Sequence, residues 1–108
     1  MTPGVARFEV VAGRDLGRTI LLDDEVIIGR QADGAGRLDD DDEVSRSHAR
    51  ISLERSGFCA IEDLGSTNGT FVNGLRISGP QTLSVGDAIE VGSTTLVVRE
   101  LPGHPAGS

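Results

Sequence analysis

Turn-forming residues interrupt this chain so often that no helix of ordinary length fits between them. Fifteen of its 108 residues are glycine. No window of about ten residues carries an apolar repeat near 3.6. What recurs is a short apolar or alternating run bounded by Gly, Asp, Asn or Ser. Ala6, Phe8 and Val10 alternate with Arg7 and Glu9. Residues 19–22 form a second run, closed by Asp23-Asp24, and 26–28 a third, ending at Gly29-Arg30. Ala49, Ile51 and Leu53 alternate with Arg50, Ser52 and Glu54. Further runs cover 58–62, 70–72, 75–77, 81–83, 88–91 and 94–98. Turn signals about every 8–12 residues, or closer, give about ten to eleven short strands, the pattern of an all-β sandwich.

The interior must be aliphatic, because the chain has no Trp, no Tyr and only three Phe. The net charge of -7 opposes nucleic-acid binding, since phosphate backbones would be repelled. A single cysteine, Cys59, leaves no internal disulfide and fits a reducing compartment. No apolar stretch approaches a signal peptide or a membrane span. The expectation is a soluble, cytoplasmic, monomeric domain with no cofactor and no metal.

Residues 64–74 concentrate the local constraints. Thr67-Asn68-Gly69 reads as a tight loop, because Gly and Asn reach left-handed backbone cheaply. Residues 70–72 read as a short strand, and Asn73-Gly74 is a favoured two-residue hairpin turn. This mount presents a hydroxyl, Thr67, and an amide, Asn68. Two other polar stretches stand at strand ends: Gly29-Arg30 and Ser45-Arg46-Ser47-His48. If the three meet, two guanidinium groups, two hydroxyls and an amide converge. That set suits a phosphate ester, whose oxygens take charge-assisted bonds from arginine.

In order and spacing, Gly29-Arg30, Ser45-Arg46-Ser47-His48 and Ser66-Thr67-Asn68-Gly69-Thr70 with Asn73-Gly74 resemble the forkhead-associated (FHA) domain, a phosphothreonine-reading family. The resemblance spans about residues 8–98. It implies two antiparallel sheets with binding loops at one end. It implies that Arg30, Ser45 and Arg46 contact phosphate, that Thr67 helps hold the phosphothreonine near its γ-methyl, and that Asn68 bonds the ligand's main chain. Gly29, His48, Gly69 and Asn73 match loop-shaping positions. The implied partner is a phosphothreonine-containing protein or peptide, either a Ser/Thr kinase or its substrate. A phosphate-independent interaction scaffold is the alternative.

Catalysis is not expected. Ser45 and His48 are three apart, but there is no Gly-x-Ser-x-Gly elbow. Two histidines and one cysteine offer no metal-ligand spacing. The acidic run 39–43 precedes Ser45 and should repel a phosphate. At about 10 Å in water each such pair costs only about 0.4 kcal/mol, against roughly 1.5–3 kcal/mol per arginine–phosphate hydrogen bond. The arginines should win, and the run should favour ligands with Lys or Arg flanks. Residues 1–5 read as an extension, 6–100 as the domain, and the Pro/Gly-rich 101–108 as a tail or linker. Thr2 is a candidate phosphosite that would fold back onto the pocket.

Overall fold

Period-2 patterning becomes two sheets packed face to face. The computed structural model describes residues 5–38, 41–54 and 57–102. Its strands are β1 (Ala6–Ala12), β2 (Thr19–Leu22), β3 (Glu25–Ile28), β4 (Ala49–Leu53), β5 (Cys59–Asp63), β6 (Thr70–Val72), β7 (Leu75–Arg76), β8 (Gln81–Leu83), β9 (Ala88–Val91) and β10 (Thr94–Glu100). Six of them order as β2-β1-β10-β9-β6-β7, and four as β3-β4-β5-β8. All pairings between these strands are antiparallel. The expected sandwich of two antiparallel sheets is the fold observed.

The core follows from the alternation. Ala6, Phe8 and Val10 of β1 are buried while Arg7 and Glu9 lie on the opposite face. Leu96 and Val98 of β10 pack beside them, and Ile28, Ile51, Ile61 and Leu83 complete the interior from the other sheet. Each such side chain contributes about 1.5–3 kcal/mol on burial. Phe8 is the one aromatic in this core; Phe58 is exposed.

Two segments differ from expectation. Leu101, assigned by sequence to the tail, is buried in the core, so packing continues past residue 100. The other is the connection between β3 and β4, which is partly ordered by packing. It contains a 3-10 turn, Gly34–Gly36, laid against β3. A methyl group on Gly36 would come within 2.0 Å of the Ile27 carbonyl oxygen, so only glycine fits there. Leu38 and Val44 then drop into the core. Thr2 and the Asp39-Asp40 pair lie outside the described residues.

Antiparallel register decides where the site forms. Ile28 pairs with Ala49, and Ala49 with Asp63. The end of β3, the start of β4 and the end of β5 are therefore neighbours. Thr70, the first residue of β6, pairs with Val91, which brings the β9–β10 turn to the same end.

Candidate functional site

Backbone hydrogen bonds lace the first two loops together. Arg30 N donates to Ser45 O at 3.0 Å, Gln31 N to Arg46 O at 3.2 Å, and His48 N to Ile28 O at 2.8 Å. This approach requires glycine at position 29. A methyl group there would stand 2.1 Å from the Arg46 carbonyl oxygen, closer than any contact tolerates.

The third loop is tied on by side chains. His48 is fully buried. Its Nδ1 accepts from the Ser45 backbone N–H at 3.0 Å, so the ring proton is on Nε2, which donates to Gly69 O at 2.8 Å. Ser45 Oγ accepts from Thr67 N at 3.0 Å. Asn68 Nδ2 donates to Glu43 O at 2.9 Å, so part of its amide is spent inside the protein, leaving Oδ1 and one N–H. Arg30, Ser45, Arg46, Thr67 and Asn68 thus stand on three loops held in one cluster. Arg46, Thr67 and Asn68 are exposed, and Arg30 and Ser45 are half-buried.

Charge is distributed unevenly around this end. All ten cationic side chains are arginines. Arg7, Arg18, Arg50 and Arg99 each face a carboxylate, and Arg37 is also engaged. Arg30 and Arg46 make no ion pair among the described residues, and the Nε of Arg30 is buried without a hydrogen-bond partner among them. In a chain of net charge -7, the loop cluster thus carries two guanidinium groups that no ion pair among the described residues offsets, donors of the kind an anion takes.

A family model described as the FHA domain matches residues 10–92. The chain belongs to that family. FHA domain-containing protein FhaB of Mycobacterium tuberculosis is 33% identical over 95 residues, which cover 87% of this chain and 61% of that protein. The chain thus spans less than two thirds of that relative. Among solved structures, one FHA domain from a structural and functional analysis of phosphothreonine-dependent FHA domain interactions superposes with a TM-score of 0.80 at 35% identity, covering 94% of this chain and 99% of that one. Mycobacterium tuberculosis EmbR, solved in complex with a low-affinity phosphopeptide, matches with a TM-score of 0.77 at 32% identity, over 89% of this chain and 24% of EmbR.

Two carboxylates build the FHA loops here without being candidates in the sequence reading. Asp63 Oδ2 accepts from the N–H groups of Gly65 and Ser66, both at 2.9 Å. Its Oδ1 accepts from Thr70 Oγ1 at 2.7 Å and from Ser66 Oγ. Ser66 Oγ in turn accepts from Gly69 N at 2.9 Å. Burial pushes the Asp63 carboxyl up, but the Ser66 and Thr70 hydroxyls and the two N–H groups outweigh it and hold the carboxyl below its ordinary value. The signal was present as an Asp followed two and three residues later by Gly and Ser, an Asx-turn pattern. Asp41 is buried and accepts from Ser93 N and Thr94 Oγ1, each at 2.8 Å, and from Glu43 N at 3.1 Å. It clamps the Ser45 loop to the β9–β10 turn, a partner fifty residues away that no local pattern shows.

Asn73 anchors the next turn. It has φ 52 and Gly74 has φ 83, as a type I′ turn requires. Its side chain donates to Asp87 Oδ1 at 2.9 Å and accepts from Ala88 N at 3.0 Å.

Proposed function

We propose that this FHA domain binds phosphothreonine-bearing segments of other proteins. Arg30, Ser45 and Arg46 take the phosphate, Thr67 holds the phosphothreonine, and Asn68 bonds the ligand's main chain with its remaining N–H and its carbonyl. The observation that carries this reading is Arg30: its backbone N–H is tied to the Ser45 loop, and its side chain has a buried Nε that meets no partner among the described residues. A phosphate dianion supplies the missing charge. The partner is a Ser/Thr kinase or one of its substrates, met in the cytoplasm by a monomeric domain.

The domain works by binding alone. The Ser45 hydroxyl accepts from Thr67 N, and both nitrogens of His48 are committed to backbone groups. The imidazole therefore has no lone pair left to activate the serine. Asp41 is buried in the clamp and turned toward Ser93 and Thr94, so among the described residues of the run the exposed Asp42 and Glu43 are the ones that favour basic flanks.

Titration of phosphothreonine, phosphoserine and unmodified threonine peptides against wild type and Arg30→Ala tests this. Binding is expected for phosphothreonine only, with Arg30→Ala losing about 10- to 100-fold, the worth of one or two charge-assisted bonds. Equal affinity for the unmodified peptide, or an unaffected Arg30→Ala, refutes it.

A further inference from the structure

We infer that Arg76 reads an acidic side chain on one flank of the ligand, an inference that rests on the phosphothreonine reading above. Arg76 lies in β7, an edge strand of the six-stranded sheet, paired with Phe71. Its exposed side chain reaches along the sheet to Gly69. A methyl group on Gly69 would meet Arg76 Nε at 2.8 Å and Cζ at 3.0 Å. The guanidinium therefore lies over Gly69, one residue from Asn68, the amide assigned to the ligand's main chain. It makes no ion pair or hydrogen bond with the described residues, unlike the paired arginines elsewhere on the sheets.

Arg76 also walls a groove of about 590 Å³ that continues from this point between β7 and β8, lined by Leu75, Ile77 and Pro80. Asp87, the one carboxylate among the described residues that line the groove, accepts from Asn73 Nδ2 at 2.9 Å and from Ser84 N at 2.8 Å. Arg76 is in no ion pair with Asp87 or any other described residue, and a ligand carboxylate is its complement.

The opposite flank has the opposite sign. Glu43 holds Asn68 by its carbonyl, and its carboxylate accepts from Ser93 Oγ at 2.7 Å, beside the start of β10. In the sheet, β10 and β7 are separated by β9 and β6, so the two flanks stand about 14 Å apart at roughly 4.8 Å per strand. An acidic residue in the ligand is favoured toward Arg76 and disfavoured toward Glu43. The preference is one-sided.

The test compares a phosphothreonine peptide with neutral flanks against a set in which one Asp is moved through each flanking position. Wild type, Arg76→Gln and Arg76→Glu are each titrated. At positions on one flank only, Asp should raise wild-type affinity about fivefold, the upper range of an exposed ion pair, and the gain should fade with added salt. Arg76→Gln should lose the gain while binding the neutral peptide within about twofold of wild type. Arg76→Glu should prefer Lys at the same position. The inference is overturned if no position responds to Asp, if the gain survives in Arg76→Gln, or if Arg76→Gln weakens neutral and acidic peptides equally, which would make Arg76 only a cover for Gly69. In each of those cases the neutral phosphopeptide still binds and the phosphothreonine reading stands. If no phosphopeptide binds wild type, both fall.

Discussion

Replacing His48 by alanine should unlock the site and most of the domain's stability together. The ring is fully buried and bonds Ser45 N on one loop and Gly69 O on another. Alanine leaves both backbone groups buried without partners, at about 1–3 kcal/mol each. The vacated volume adds about 1–2 kcal/mol at about 24 cal/mol per Å³ of cavity. The expected loss is thus about 3–8 kcal/mol, against a total of about 5–15 kcal/mol for a domain of this kind. His48→Leu separates the two contributions, because it fills the space and restores neither bond. It should still lose about 2–6 kcal/mol. With no Trp and no Tyr in the chain, urea unfolding is best followed by far-UV circular dichroism. If His48→Leu unfolds within about 1 kcal/mol of wild type, the two hydrogen bonds are not what holds the loops, and the reasoning fails.

Asp63→Asn should show a pH-dependent cost. The folded carboxyl sits below its ordinary value of 3.8. Its contribution is therefore complete above that value and disappears as pH falls through the lower, folded value. The stability gap between variant and wild type should be widest near about pH 7 and narrow below about pH 4; a constant gap in urea unfolding counts against the assignment. Gly29→Ala should cost at least about 1–3 kcal/mol, because both clashing atoms are backbone and the Ser45 loop must move. Phosphopeptide affinity should fall with it, and an unchanged melting temperature would show that the loops are not packed as described. Cys59 is fully buried, and burial pushes its thiol up to about 11. A thiol reagent at about pH 8 should leave the folded domain unlabelled and react once urea unfolds it.

Much of the fold was legible because period-2 alternation and turn residues are local signals. The runs at 19–22, 70–72, 81–83 and 88–91 coincide with β2, β6, β8 and β9, and Asn73-Gly74 forms the I′ turn its residues favour. The burial of Leu38 between β3 and β4 was not legible, because the few apolar residues around it follow no period. Leu38 is buried through contacts that only the packed sheet supplies. Leu101 was missed for a related reason: the Pro and Gly after it mark a tail, while its own burial depends on the sandwich beneath.

The same division runs through the site. Sequence alone determined which chemical groups were available, since Arg30, Ser45, Arg46, Thr67 and Asn68 sit at strand ends with the donors a phosphate ester needs. It also determined that the loops would be stiff, through Gly29, Gly69 and Asn73. Tertiary structure decided that the three loops meet, because the register Ile28–Ala49–Asp63 sets their ends side by side. It decided which groups His48 fastens, made Asp41 a second fastener, and set Arg76 and Glu43 on opposite flanks of Asn68. Those relations join residues tens of positions apart. They exist only once two sheets have fixed the ends of ten strands in space.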